Sequence, residues 1–213
     1  MGHTLAGESA QILVACDVLV VGGGPAGSTI STLLAEQGWN VHILEKDPHP
    51  RFHIGESLLP QSLPILKQLG VLADVERIGI IKYGAEMVSH RYGRSQMFYF
   101  AKAFDESQPY AFEVKRSEFD AILLKKAISK GVTVHEGVKA QRVEFRPGQT
   151  SLVHTENREG RPRTWEAKFV VDASGRDTFL SNQLGGKRRS QQHSSAAIFG
   201  PFEGVGRLPG KDE

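Results

Sequence analysis

Three glycines in the stretch VLVVGGGPAGSTI, spaced as Gly22-x-Gly24-x-x-Gly27, have the type and spacing that a phosphate-binding turn requires. Each glycine has its own task there. The first permits a tight bend, the second lets main chain approach a pyrophosphate, and the third lets a helix pack closely on a strand. A helix opening at this point adds unpaired N–H groups and roughly half a positive charge, which suit phosphate oxygens. Downstream, Glu45 stands where a second strand should end, and its carboxylate can accept hydrogen bonds from a ribose diol while disfavouring a 2′-phosphate. Turn and carboxylate together read as a dinucleotide site. They do not separate NAD from FAD, because both present the same adenosine diphosphate portion.

Other groups are weaker candidates. His49 and His53 are four residues apart, but Pro48 and Pro50 deny them a helix, so no metal site is expected. Cys16 is the single cysteine, which excludes an intramolecular disulfide framework; beside an apolar strand it reads as an inert core thiol in a reducing cytoplasm.

The elements that must position the turn follow from hydrophobic patterning. DVLVV, Asp17 to Val21, is nearly unbroken in apolarity, as expected of a central parallel strand covered on both faces. After the glycines, Ala26, Ile30, Leu33 and Leu34 recur at helical spacing, Gly38 stops the helix, and VHIL, Val41 to Leu44, completes a right-handed βαβ unit. Lys46 to Pro60, rich in proline and polar residues, reads as a surface loop of functional potential, followed by a short helix from Gln61 to Gln68. The segments IIKYGAEMVSH, SQMFYFAK and PYAFEVKR read as antiparallel strands of an inserted layer. SEFDAILLKKAISKG is the clearest helix, with Ser117 and Asp120 as a capping box, an apolar stripe of Phe119, Ile122, Leu123 and Ala127, and Gly131 as its stop. Short strands are expected near 132–135, 140–145, 151–155 and 169–172, then a helix near 178–184.

Composition narrows the class. The chain has 213 residues, 26 Lys and Arg against 24 Asp and Glu, and a net charge of +2, too near balance to suggest a nucleic-acid partner. The apolar run from Ile12 to Cys16 is too short for a signal peptide or membrane span and has no basic residue before it, and Gly2 is followed by Ala6 where a myristoylation pattern wants Ser or Thr.

The stretches VVGGGPAGSTISTLLAEQGWNVHILEK, PYAFEVKRSEFDAILLKKAISKGV and FVVDASGRDTFLSNQLG together resemble the FAD-dependent monooxygenase superfamily with the p-hydroxybenzoate hydroxylase fold. Within it, RFHIGESLLP followed by IIKYGAEM is similar to the flavin-dependent halogenases, above all the branch acting on phenols and pyrroles, and to the related tryptophan halogenases. The two-tryptophan signature of the latter is absent, since Trp39 and Trp165 are isolated. The resemblance implies an α/β, Rossmann-like FAD-binding domain over residues 17–190 with an inserted antiparallel segment near 78–112. It also implies an N-terminal extension over 1–16 and the start of an incomplete substrate domain over 191–213, as if the chain were the N-terminal portion of a longer enzyme.

Residue by residue, the resemblance implies FAD as cofactor, with Gly22, Gly24 and Gly27 on the pyrophosphate, Pro25 and Ala26 inside the same turn, and Glu45 followed by Lys46 at the adenosine ribose. It implies Gly55, Glu56 and Ser57 in a loop near the flavin ring, Arg116 reaching the phosphate and ribityl region, and Asp172 of the DASG stretch on the nucleotide side. Lys82 matches a lysine that meets hypohalous acid between flavin and substrate pockets. That role needs an amine near neutrality, so burial between Ile80, Ile81 and Tyr83 is expected to lower its pKa from about 10.4. The implied chemistry takes reduced FAD from a partner flavin reductase, oxygen and halide, and delivers hypohalous acid to a small aromatic substrate, free or carrier-bound. An aromatic hydroxylase or prenyl-chain reductase of the same fold, and a noncatalytic nucleotide-binding fragment, are the alternatives.

Overall fold

The computed structural model describes residues 13–104, 106–188, 198–200 and 203–204. Most of the expected N-terminal extension, and all but five residues of the segment read as the first strands of a substrate domain, lie outside the described residues. The chain divides into two compact units. One combines the described residues up to Arg51 with Leu123–Gly186, and the other combines Phe52–Ile122 with the described residues from Lys187 onward.

The first unit is built on β1 (Leu13–Val21), whose Val18, Leu19 and Val20 are fully buried, each contributing about 1.5–3 kcal/mol relative to exposure. The turn leads into α1 (Pro25–Glu36), with Pro25 in the first helical turn, and β2 (Val41–Glu45) follows. Gly38 has φ +85° and donates its N–H to Ala35, so the expected glycine stop is real. The buried face of α1 is not the apolar stripe expected from spacing. Ala26 is exposed and Leu33 and Leu34 are half-buried, whereas Gly27, Ser28, Ser31 and Thr32 are buried. Small residues let the helix lie close to the sheet, and Ser28 and Thr32 satisfy their hydroxyls on the main-chain carbonyls of Gly23 and Ser28.

In the second unit, β3 (Glu56–Ser57) is a two-residue strand inside the expected loop, followed by α2 (Leu63–Gln68) and α3 (Leu72–Ile78), the latter missed by patterning. Then come β4 (Ile80–Lys82), β5 (Gly84–Ser89), β6 (Arg94–Tyr99) and β7 (Ala111–Val114). The pairings are antiparallel as expected, but they form two sheets, β3-β7-β4 and β5-β6. IIKYGAEMVSH therefore breaks at Tyr83. A side chain at Gly84 would lie 2.4 Å from the Phe98 carbonyl oxygen, so only glycine permits the close crossing onto β6.

α4 (Arg116–Ser129) runs from the second unit into the first. Its first turn corrects the expected capping box. The N–H groups of Glu118 and Phe119 bond to the Lys115 carbonyl, which places Ser117 inside the helix, and Asp120 takes the Arg116 guanidinium instead of capping. Leu124 is buried with Leu123 and Ala127, while Ile122 is half-buried.

β8 (Thr133–Glu136), β9 (Val138–Glu144), β10 (Ser151–Asn157), β11 (Pro162–Asp172) and α5 (Phe179–Gln183) complete the first unit. Its six strands are ordered β8-β2-β1-β11-β10-β9; the first four are mutually parallel, and β10 pairs antiparallel with both β11 and β9, so β10 alone is reversed. Central placement of the first strand is thus borne out. β8 and β9 stand at opposite ends of that order yet are joined through Gly137 alone. One residue spans only about 7 Å, whereas six flat strands measure about 24 Å across, so the sheet rolls until its edges meet there. Trp165, fully buried, fills the inside with Cys16, Leu19, Val143 and Val153, and donates its indole N–H to Thr155. His42 and His135 stack beside it with ring nitrogens 3.1 Å apart. Burial, the neighbouring His42 and the Arg163 charge hold His135 down at about 4, and burial lowers His42 as well. Among the described residues no helix is long and apolar enough to cross a membrane.

Candidate functional site

In the first unit, the three glycines turn out to answer to different constraints. Gly22 has φ +107°, and a Cβ there would sit 2.4 Å from the Ala173 oxygen, so β1 and the DASG segment meet across it. At Gly27 a Cβ would lie 1.9 Å from the Gly22 oxygen, which fixes the helix against the turn. Gly24 differs. Its φ of −72° is ordinary, and a Cβ would meet nothing nearer than Arg51 Nη2 at 3.5 Å. The protein's own packing does not demand glycine at this position, whereas main chain open to a pyrophosphate does. The helix that starts there has no side-chain cap, and its first-turn N–H groups precede any intrahelical acceptor. The residues present therefore fit the diphosphate of a dinucleotide. Pro25 is half-buried and Ala26 exposed beside this opening.

Glu45 ends β2 and is 3% exposed. Its Oε2 accepts the Gly23 N–H at 2.7 Å and its Oε1 accepts the Asp47 N–H at 2.9 Å. The carboxylate thus ties the turn to the end of the second strand, and carboxylate oxygens retain further acceptor capacity for a ribose diol. Lys46 is exposed and pairs with Asp177, whose carboxyl it holds below its ordinary range. Asp172 ends β11, but its oxygens accept the N–H groups of Ser174 and Leu180, so it organises the DASG turn and the start of α5. Arg51, absent from the sequence candidates, lies over the turn with Nη2 3.4 Å from Glu45 Oε2. The only sequence signal for it is a basic residue shortly after an acidic strand end.

In the second unit, Gly55, Glu56 and Ser57 are exposed and run antiparallel to β7, with Glu56 opposite Val114. Arg116 joins this loop to α4. Its Nε and Nη2 bond both oxygens of Asp120 at 2.7 and 3.0 Å, and its Nη1 reaches Glu56 at 2.8 Å. Asp120 is 0% exposed, and this bidentate ion pair raises the Arg116 pKa further above its usual value. Lys82 ends β4 on the other side of β7, opposite Ala111, and is half-buried. The flanking residues enclose it only in part: Ile80, Ile81 and Tyr83 are 48%, 40% and 38% exposed, because β4 is a short edge strand paired on one side only. Among the described residues no cluster of His, Cys, Asp or Glu could hold a metal, and His49 pairs with Glu136.

Known proteins are similar to this chain in sequence and in fold. The flavin-dependent halogenase armH3 of Armillaria mellea is 35% identical over 93% of the chain, which spans 40% of that relative. The 1H-pyrrole-2-carbonyl-[peptidyl-carrier protein] chlorinase of Pseudomonas fluorescens is 34% identical over 90% of the chain, which spans 46% of that relative. The chain thus spans less than half the length of either. Among solved structures, a flavoprotein/dehydrogenase from Cytophaga hutchinsonii superposes with a TM-score of 0.75 at 35% identity, covering 80% of this chain and 42% of its own. The myxobacterial chondrochloren halogenase CndH gives 0.70 at 36% identity, covering 76% and 38%. The sequence profile of the FAD binding domain matches residues 15–201, the span that carries the glycine turn, Glu45, Arg116 and the DASG segment. The chain belongs to that family of FAD-binding domains.

Proposed function

We propose that this chain is the FAD-binding part of a flavin-dependent halogenase. The observation that carries the reading is the 34–35% identity to a fungal halogenase and a bacterial pyrrole chlorinase across at least 90% of the chain. When bound, reduced FAD would supply the two electrons and two protons which, with one further proton, convert oxygen and a halide ion into hypohalous acid and water. The chain's own residues have other tasks. The main chain at Gly24 and the uncapped start of α1 receive the pyrophosphate, and Glu45 accepts from the ribose. Lys82 supplies the amine that takes up or hydrogen-bonds hypohalous acid on its way to an aromatic substrate, free or carrier-bound, and a separate reductase delivers the reduced flavin. The unpaired Cys16 thiol suits a reducing cytoplasm.

The test uses this chain extended to the length of its relatives, supplied with reduced FAD, oxygen and bromide or chloride. Lys82→Ala and Lys82→Arg should abolish halogenation while reduced FAD is still oxidised by oxygen. Halogenation at the parent rate by either variant removes the role. A second reading is favoured by the likeness to the flavoprotein/dehydrogenase, namely oxidation or reduction of substrate directly by the flavin. Substrate turnover that is indifferent to halide would establish it.

A further inference from the structure

Gly24 is the turn position whose missing side chain the fold leaves unexplained, and a charged group stands in front of it. Arg51 Nη2 is the nearest atom to a Cβ built there, at 3.5 Å. The same nitrogen lies 3.4 Å from Glu45 Oε2, the oxygen that accepts the Gly23 N–H. Arg51 is 18% exposed, and its direction is set from behind. Its Nε–H points at Nε2 of His49, 3.4 Å away. His49 is held in turn by Glu136, whose Oε1 lies 3.0 Å from the ring Nδ1 and accepts the His49 backbone N–H at 2.6 Å.

This geometry assigns the tautomer. With Nδ1–H donating to the Glu136 carboxylate, the Nε2 lone pair faces the Arg51 Nε–H. Glu136 and Glu45 are paired in register at the ends of β8 and β2, so the relay Glu136, His49, Arg51, Glu45, Gly23 is anchored on two neighbouring strands. A guanidinium also offsets the Glu45 charge beside the turn. Without it, a phosphate arriving at Gly24 would face a bare carboxylate.

We propose that Arg51 is a binding residue for the cofactor pyrophosphate, and that His49, locked by Glu136, positions it. The planar fork of arginine suits two-point contact with phosphate oxygens, and its weak hydration suits a half-buried place. The inference rests on the pyrophosphate lying at the glycine turn, and is independent of halogenation.

ADP and adenosine distinguish the two, because they share base and ribose and differ in the phosphates. Binding of each is titrated to this chain and its variants. Arg51→Met should weaken ADP by about 10- to 100-fold and adenosine by less than about twofold. His49→Leu should weaken ADP by about 3- to 10-fold, and the double variant should bind ADP no more weakly than Arg51→Met alone, because a positioning residue has no effect once its target is gone. Equal losses for ADP and adenosine, unchanged ADP binding in Arg51→Met, or no preference for ADP in the parent would overturn the Arg51 assignment; additive losses in the double variant would overturn that of His49. Where Arg51→Met does not fold, Arg51→Lys carries the test: it keeps the charge without the fork, so full ADP affinity in it also overturns the proposal. Gly24→Val separates the two levels. If it spares ADP binding, the turn reading itself fails; if it abolishes ADP binding while Arg51→Met does not weaken it, only the Arg51 proposal fails.

Discussion

Replacing Gly27 and Gly24 singly by alanine should produce opposite phenotypes, although the two stand three residues apart in one turn. A Cβ on Gly27 would sit 1.9 Å from the Gly22 carbonyl oxygen and 3.3 Å from the Ala173 Cβ. To reach even 3.0 Å from that oxygen, the start of α1 must retreat by 1.1 Å (3.0 − 1.9). The obstacle is backbone and cannot rotate away, and the retreat loosens the buried contacts of Ser28, Ser31 and Thr32. Overpacking of this kind costs about 1–3 kcal/mol, here at the upper end, and at about 2–4 °C per kcal/mol the melting temperature should fall by about 4–12 °C. Gly24→Ala has an ordinary φ and an ordinary 3.5 Å contact, so only a difference in helix-capping preference remains, under about 1 kcal/mol. Its melting temperature should fall by less than about 4 °C while ADP affinity drops at least about tenfold, since the methyl group occupies the phosphate approach. Thermal melts followed by far-UV circular dichroism, with ADP titrations on the same samples, read both effects. A Gly27→Ala protein that melts with its parent, or a Gly24→Ala protein that loses as much stability as Gly27→Ala, would refute the division of labour.

Acid should destabilise the chain through the His42–His135 stack. The folded pKa of His135, about 4, lies below the ordinary 6.5, so the unfolded chain takes up a proton that the folded chain resists. This contribution is complete above pH 6.5, is lost as pH falls towards about 4, and is bounded by about 3 kcal/mol, or about 1–2 after solvent screening. His135→Gln should flatten the melting temperature across that interval, and an unchanged pH slope would count against it. Cys16, raised to about 11 by burial and the Asp17 charge, has a thiolate fraction of about one in a thousand near pH 8. Iodoacetamide should therefore label the native chain about 100-fold more slowly than the urea-unfolded one, and equal rates would disprove burial of the thiol. Arg116→Met strands the fully buried Asp120 carboxylate and should cost about 3 kcal/mol, most of it regained in Arg116→Met/Asp120→Leu. An unaltered melt of the single variant would show that the pair carries no such burden.

Much of the first unit was legible because its signals are local. An unbroken apolar strand, a glycine turn, a helix with a glycine stop and a second strand are each set by residues adjacent in sequence. What failed depends on partners far along the chain. The two-residue strand Glu56–Ser57 exists only because β7 lies beside it, and patterning gives such a segment no weight. The buried face of α1 is polar by sequence and buried by geometry, since Ser28, Ser31 and Thr32 are small enough for close approach. Ser117 and Asp120 have the spacing of a cap, but Arg116 competes for the carboxylate from the same helix. β11 was expected only from Phe169; its first half, with Trp165 at its centre, is stabilised by β10 and by the rolled sheet. Arg51 was invisible for the same reason, because the contact that aims it comes through His49 from Glu136, 87 residues beyond that histidine. Lys82 is half-buried, but its apolar neighbours Ile80, Ile81 and Tyr83 stay exposed, because apolar residues in an edge strand are not thereby buried.

The parallel seam between β1 and β11 also constrains how the chain is made. Leu13 pairs with Thr164 and Val21 with Asp172, so each residue of the central strand meets its second neighbour 151 positions later (164 − 13). At about 5–20 residues per second, a ribosome needs about 8–30 s to deliver that partner. During this interval β1 can pair with β2, but its other edge has no strand to receive, and the whole of Phe52–Ile122 emerges in between. Nascent β1 therefore presents an open, apolar strand edge to chaperones and to other nascent chains for the length of that delay. A pause in translation upstream of Asp172 lengthens the exposure, whereas one placed after the seam has left the exit tunnel does not.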